Sequence, residues 1–152
     1  DAARTYDLAH HSFGTIRSNI ATNPIASLGS EPMYSLPADV KSGTVPGNAT
    51  ATVTREQDGA AMHYQLVNTD DQPMELYTAT GWANVAYQNV RQPAPFLMAR
   101  KTGKNVVFVS VIGFGARPLP PAALKVSASR LEVRLPDTRV IFDFKANRVT
   151  RK

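Results

Sequence analysis

Hydrophobic and polar residues alternate along most of this chain, and helical periodicity is nearly absent. Runs rich in β-branched and aromatic residues are bounded by glycine, proline, asparagine and aspartate, which favour turns. These runs occupy residues 5–13, 15–19, 49–55, 60–68, 75–80, 105–112, 124–128, 130–135 and 138–144, with one more just after Pro95. The pattern predicts an all-β fold, an antiparallel β-sandwich of about nine or ten short strands in one domain spanning residues 1–152.

One hairpin is marked clearly by its turn. Residues 49–55 and 60–68 flank Asp58 and Gly59, and an Asp-Gly pair supplies the positive φ angles that a tight turn requires. In the second of these strands, alternate residues from 62 to 66 are apolar and share one face. We therefore expect a two-stranded hairpin with that face in the core.

Two other runs indicate how their strands are covered. Residues 105–112 (NVVFVSVI) form the most hydrophobic run, with apolar residues at both odd and even positions, which is typical of a central strand. Residues 130–135 instead alternate leucine or valine with arginine or glutamate. That alternation predicts a strand with one face in the core and the other in water.

Two segments are predicted to be loops. Residues 21–47 contain four prolines and three glycines, and a stretch of this length is either a functional loop or hides one or two irregular strands. Residues 81–95 are largely polar and end in Pro-Ala-Pro. We expect a loop there, joining two strands.

The composition is that of an ordinary globular domain. A chain of 152 residues, 43% of them hydrophobic, is long enough to bury a core. No apolar run approaches the roughly 20 residues needed to cross a bilayer, so we expect no membrane partner. The first residues do not resemble a signal peptide. The absence of cysteine excludes disulfides and thiolate metal sites.

The net charge of +5 suits an anionic partner. Most arginines and lysines are scattered over the predicted strands, apart from Arg148, Arg151 and Lys152 near the end. A scattered pattern fits either an ordinary solvated surface or contact with an acidic glycan. We expect no nucleic-acid partner, because neither a basic helix nor an aromatic-rich RNA-binding strand is evident.

The familiar catalytic and metal-binding patterns are missing from the sequence. His10 and His11 are adjacent on a predicted strand, so their side chains should lie on opposite faces and cannot ligate one metal together. No Gly-x-Ser-x-Gly elbow or glycine-rich phosphate loop is present. Asp70 and Asp71 fall in a predicted turn, where solvated carboxylates are usual. We therefore assign no catalytic residue, metal or cofactor to this chain.

Aromatic residues around residues 81–95 are candidates for contact with sugar. Trp82 and Tyr87 lie in this segment and Tyr77 lies just before it. Tryptophan and tyrosine faces stack on sugar rings, and Arg91 is suited to pair with a uronate or sulfate group. The alternative is that Trp82 caps the end of the hydrophobic core, as large aromatic residues often do.

Two stretches carry a resemblance to a known family. The sequence YDL at residues 6–8 is followed by histidines at 10–11 and by Gly14. The sequence LMAR at residues 97–100 is followed by VFVSV at 107–111, within the longer segment of strands and turns that begins at Met74. Both stretches resemble the C-terminal β-sheet domain of the heparinase II/III and oligoalginate lyase group of polysaccharide lyases.

The resemblance implies the C-terminal portion of a larger enzyme that cleaves uronate-containing anionic glycans by β-elimination. In that group an α/α toroid carries the catalytic histidine and tyrosine, and these, with a His-x-His-x-Asp segment, would lie upstream of Asp1. This chain would be periplasmic or secreted, mainly structural or cleft-lining, and not catalytic alone. Its partners would be the N-terminal catalytic portion and an acidic polysaccharide or oligosaccharide. The expected substrate-binding residues are Tyr6, His10, His11, Tyr77, Trp82, Tyr87 and Arg91.

Two other functions remain open at this point. A stand-alone carbohydrate-binding module would use Trp82, Tyr77, Tyr87 and Arg91 as an exposed platform. An adhesion or assembly sandwich would instead pair its exposed edge strands with another chain.

Overall fold

A computed structural model describes residues 2–11, 13–31, 34, 36–85 and 90–152. Its strands, in chain order, are β1 (Arg4–His11), β2 (Thr15–Ser18), β3 (Asn23–Pro24), β4 (Ala38–Val45), β5 (Thr50–Gln57), β6 (Ala60–Val67), β7 (Met74–Val85), β8 (Val90–Gly103), β9 (Val109–Phe114), β10 (Ala123–Ser127), β11 (Arg130–Leu135), β12 (Thr138–Asp143) and β13 (Arg148–Arg151). The paired strands run antiparallel.

The strands form three sheets. Sheet A has the order β1-β8-β7-β4-β3, sheet B the order β2-β5-β6-β9, and sheet C the order β10-β11-β12-β13. The predicted all-β, antiparallel, sandwich-like fold is confirmed. The structure has more strands than expected, because residues 21–47 contain β3 and all of β4 and because the tail pairs with β12 as β13.

The main core lies between sheets A and B. Leu76 and Leu97 of sheet A pack with Val53 and Leu66 of sheet B, and all four are buried almost completely. Burying a side chain of this size stabilises the fold by roughly 1.5–3 kcal/mol. Alternation along each strand delivers these residues to one face.

Sheet A is also covered on its other face. Tyr77, Phe96 and Met98 point away from the main core and pack under Leu28 and Tyr34, which belong to the connection between β3 and β4. This second cluster explains why β7 and β8 are apolar at both odd and even positions. The long predicted loop therefore acts as a cover for sheet A.

The predicted hairpin is confirmed. Strands β5 and β6 pair without interruption from Thr50 opposite Val67 to Gln57 opposite Ala60. The turn residues Asp58 and Gly59 have φ angles of 51° and 78°, the left-handed conformation that a tight turn requires.

The predicted loop at residues 81–95 is wrong, because β7 and β8 continue as a hairpin to the pair Val85 and Val90. Proline within a strand normally argues against that strand, since it has no N–H to donate. Here Pro93 and Pro95 are tolerated because β1 accompanies β8 only as far as Phe96 in the described pairing. From Val90 to Pro95, β8 pairs with β7 on one side and is an edge strand in the described structure.

The prediction that residues 105–112 form a central strand is also wrong. Strand β9 begins only at Val109 and lies at the edge of sheet B, next to β6. Val107 and Ile112 are 46% and 42% exposed. Apolar residues at both odd and even positions indicated that both faces of the strand are covered. Because β9 pairs with β6 alone in the described sheet, much of the run 105–112 is exposed to water.

A buried asparagine joins the strand ends at one end of the sandwich. Asn68 follows β6, is 1% exposed, and its Nδ2 donates hydrogen bonds to the carbonyl oxygens of Pro46 (3.0 Å) and Gln72 (2.6 Å). Its Oδ1 accepts a 2.8 Å hydrogen bond from Nζ of Lys101, which also pairs with Asp70 at 2.5 Å. One side chain thus satisfies groups from three separate segments.

Sheet C has two chemically different faces. Leu131 and Val133 of β11 lie on the face that carries Val140 and Phe142 of β12, as the register pairs them. The predicted polar face is present on the other side, although Glu132 on that side is 5% exposed.

Candidate functional site

An open groove of about 380 Å³ crosses the outer face of sheet A. Its lining comes from β1, β7, β8 and the segment before β4, and the residues are Asp7, Ala9, His11, Leu28, Tyr34, Leu36, Pro37, Gly81, Trp82, Phe96 and Met98. The lining is mostly apolar with a few polar groups, as in sites that bind small molecules. We refer to it as the sheet A groove.

The floor of the groove follows from strand alternation. His11 lies opposite Phe96 in the β1–β8 register, and their rings are 5.4 Å apart and inclined by 30°. Gly81 faces Phe96 from β7, where a β-carbon would lie 3.3 Å from the phenyl ring. Glycine at this position keeps the floor open, because any side chain would crowd Phe96.

Exposed hydrophobic residues form part of the groove lining. Trp82 is 59% exposed and Leu36 is 71% exposed. The indole is therefore accessible to a ligand, and the alternative that Trp82 caps the core is wrong. An exposed tryptophan beside an apolar groove is a suitable stacking surface for a sugar ring.

An ion pair closes one wall of the groove. Arg100 binds Asp7 through two parallel hydrogen bonds of 2.7 Å and 2.9 Å, and the Tyr34 hydroxyl donates a 2.7 Å hydrogen bond to the same carboxylate. Arg100 also donates to the carbonyl oxygen of Leu28 at 2.7 Å, and its guanidinium lies 4.9 Å from the Tyr34 ring centroid. These contacts hold the connection between β3 and β4 against sheet A. We call this connection, residues 25–37, the covering segment.

The titration behaviour of this wall favours binding over proton transfer. The hydrogen bond from Arg100 lowers the pKa of Asp7, so the carboxylate is ionised at neutral pH. The hydrogen bond to Asp7 raises the pKa of Tyr34. Burial and a hydrogen bond to Glu75 raise the pKa of Tyr77 to about 12. Neither tyrosine is poised to act as a general base near neutral pH.

The structure separates the expected residues of β1. His11 lies in the sheet A groove, whereas His10 faces sheet B with its ring 5.4 Å from that of Tyr64. Burial and the neighbouring His11 lower the pKa of His10. Tyr6 lies farther along β1, opposite Lys101, in a separate shallow pocket with Arg4 and Lys104. Of the three, only His11 lies in the groove.

The remaining expected residues are also divided. Tyr77 is 7% exposed, packs beneath Arg100, and donates a hydrogen bond to Glu75, so it supports the groove from below. Tyr87 lies outside the described residues. The backbone of Arg91 pairs with Asn84 in the β7–β8 hairpin, and its side chain lies outside what the structure describes. Among the expected substrate-binding residues whose side chains the structure describes, His11 and Trp82 are the two that line the groove.

Sequence reasoning missed Tyr34, Leu36 and the pair of Asp7 with Arg100 as site residues. Asp7 and Arg100 both occur in the stretches that resemble the lyase group, but their contact depends on the β1–β8 register. Tyr34 and Leu36 lie in a segment without periodicity, and the sequence carries no signal that it folds over sheet A.

Other kinds of site find no support in the part of the chain that the structure describes. No three or more histidine, cysteine, aspartate or glutamate side chains there are arranged to hold a metal ion. No helix among the described residues has the length and apolar character to cross a membrane.

Comparison with known proteins gives no assignment. No family model matches the chain. No curated protein matches it either.

Proposed function

We propose that this chain is the C-terminal β-sandwich portion of a polysaccharide lyase that cleaves uronate-containing anionic glycans by β-elimination. In this proposal the chain is mainly structural and contributes the sheet A groove to the substrate cleft of the larger, periplasmic or secreted enzyme. The observation that carries the proposal is the exposed indole of Trp82 on an apolar groove with polar groups at one wall.

The chemistry of β-elimination explains why we propose a binding role for this chain and a catalytic role for the rest of the enzyme. The reaction needs a base to remove the proton next to the uronate carboxylate, an acid for the departing oxygen and a positive group at the carboxylate. In the groove, the raised pKa of Tyr34 disfavours its phenolate form. Arg100 is already engaged by Asp7 and Leu28. The groove is thus better suited to hold a sugar than to transform it.

Replacing Trp82 with alanine is expected to weaken binding of an alginate oligosaccharide by about tenfold, because stacking on an indole and its buried area contribute on the order of 1.4 kcal/mol. Isothermal titration calorimetry measures the change. Phe114→Ala is the matched control, since Phe114 is 78% exposed but lies on sheet B. Equal affinities for Trp82→Ala and the unmodified chain would contradict the groove's role.

The chain alone is expected to release no unsaturated sugar ends from alginate or heparin. The near-ultraviolet absorbance of such ends measures the reaction, with an intact lyase of known activity as the positive control. Absorbance that grows in proportion to the concentration of this chain would refute the proposal that the chain does not cleave the glycan by itself.

A stand-alone carbohydrate-binding module is the second candidate, and the same exposed Trp82 favours it. The buried position of Tyr77 removes that residue from the expected aromatic platform. The polypeptide encoded upstream distinguishes the two functions. A longer protein that cleaves the glycan supports the lyase, whereas a longer protein that binds without cleavage supports the module.

A further inference from the structure

Sheet C gathers on one face five basic residues that are scattered in the sequence. The strand registers place Lys125 opposite Glu132, Arg134 opposite Arg139, and both Arg130 and Arg148 opposite Asp143. Because side chains alternate between faces, these residues all lie on one side of the sheet. The cationic members are Lys125, Arg130, Arg134, Arg139 and Arg148, and the anionic members are Glu132 and Asp143. We call this side the basic face.

Glu132 lies at the centre of the basic face and holds three arginines around it. Its Oε2 accepts a 2.7 Å hydrogen bond from Arg139 and lies 3.4 Å from Arg130, while its Oε1 accepts a hydrogen bond from Arg134. The hydrogen bonds from Arg139 and Arg134 lower the pKa of Glu132 to about 2. The carboxylate is therefore ionised at neutral pH and keeps like charges together that would otherwise repel.

The counter-charge on this face is incomplete. Each guanidinium has roughly five N–H donors in a fixed fork, far more than the two oxygens of one carboxylate can accept. The side chains of Arg130, Arg134 and Arg139 remain 46%, 48% and 39% exposed. Donors and positive charge are consequently left over for an external anion.

The cations of the basic face are accessible to solvent. Lys125, Arg130, Arg134 and Arg148 are exposed, and Arg139 is half-buried. A macromolecular partner can therefore reach them.

We propose that the basic face binds an extended acidic polysaccharide, whose carboxylate or sulfate groups contact Arg134, Arg139 and Lys125. Guanidinium groups bind such anions through paired hydrogen bonds. A single-stranded nucleic acid is less suited, because it gains much of its affinity from stacking on aromatic residues, and the described residues of this face include none. This surface is separate from the sheet A groove and shares with the proposed function only the kind of partner.

The double substitution Lys125→Gln and Arg148→Gln tests the proposal. Both residues are exposed and neither binds Glu132 in the structure, so the ion-pair cluster stays intact. We expect about tenfold weaker binding to a heparin oligosaccharide and to an alginate oligosaccharide in about 0.15 M salt, because the variant loses two exposed cations of the face, together about 1.4 kcal/mol. Thermal unfolding verifies that the variant is folded.

The matched control removes the same charge elsewhere. Arg17→Gln with Lys41→Gln takes two exposed cations from sheets B and A. Binding should then change by less than about twofold, since distant surface charges are screened by salt. An equal loss in both double variants would overturn the proposal, because net charge alone would explain it.

Two further measurements complete the test. An oligothymidylate of matched charge should bind at least about tenfold more weakly than the heparin oligosaccharide, and equal binding would overturn the choice of a polysaccharide. In a Trp82→Ala background, the Lys125→Gln and Arg148→Gln substitutions should still weaken heparin binding by the same factor, because Trp82 lies on sheet A, and loss of that difference would overturn the proposal. A failure of Trp82→Ala to weaken alginate binding would contradict the groove alone, so the two proposals fail separately.

Discussion

Replacing Asn68 with alanine is expected to lower the free energy of unfolding by about 3 kcal/mol, because buried polar groups without partners cost roughly 1–3 kcal/mol each. The substitution leaves the carbonyl oxygens of Pro46 and Gln72 without their donor, and Lys101 without one of its acceptors. Water does not readily replace the amide, since Asn68 is 1% exposed and the Lys101 side chain 2% exposed. Urea denaturation followed by circular dichroism measures the change.

Asn19→Ala serves as the control for this substitution. The Asn19 side chain is exposed and its Oδ1 accepts one 3.3 Å hydrogen bond from the backbone of Thr52. We expect a loss of at most about 1 kcal/mol there. Comparable losses for the two variants would show that the network around Asn68 does not hold the strand ends together.

Replacing Arg100 with methionine is expected to lower the free energy of unfolding by about 2 kcal/mol, less than for a fully buried ion pair because solvent reaches part of this one. The Asp7 carboxylate would lose both of its hydrogen bonds from Arg100, and Leu28 would lose a donor to its carbonyl oxygen. The covering segment with Tyr34 would also lose the guanidinium against which it packs. The variant should therefore bind oligosaccharide more weakly in addition to being less stable.

The pH dependence of stability gives this prediction a second measurement. The hydrogen bond from Arg100 lowers the pKa of Asp7 in the folded protein. The contribution of the pair is thus fully present well above the ordinary carboxyl pKa and is lost as the pH falls through the lowered pKa. The Arg100→Met variant should therefore lose less stability on acidification, because the contribution of the Asp7–Arg100 pair is already absent. An unchanged pH profile between pH 5 and pH 2 would speak against the ion pair.

Two comparisons separate the ion pair from simple side-chain loss. Arg17→Met removes an exposed arginine 3.9 Å from Glu56 and is expected to change stability by less than about 1 kcal/mol. Adding Asp7→Asn to Arg100→Met should recover part of the stability, because no unpaired carboxylate then remains.

Local patterns in the sequence predict several elements of this fold because their causes are local. The Asp58-Gly59 turn requires positive φ angles, which fixes the β5–β6 hairpin at its tip. Alternation in the same hairpin places Tyr64 and Leu66 in the core. The adjacency of His10 and His11 is enough to place their rings on opposite faces of β1.

The features that the sequence does not reveal depend on which strands become neighbours. The run at residues 105–112 lies partly outside β9, and β9 is an edge strand because no further strand of the described sheet B pairs with it. Tyr34 meets Asp7 only after the β3–β4 connection has folded over sheet A. The basic face likewise exists only in the register that sets Arg134 beside Arg139. Pairing between distant segments leaves no periodic signal in a single sequence.

The two prolines of β8 bear on how this protein meets copies of itself. An open strand edge is a template on which another polypeptide can extend the sheet, and this is a common route to aggregation. Between Val90 and Pro95, β8 pairs with β7 but not with β1 in the described structure. Pro93 and Pro95 in this part of the strand have no N–H to donate to an added strand. The hairpin can therefore project Trp82 into solvent while resisting strand addition along its open side.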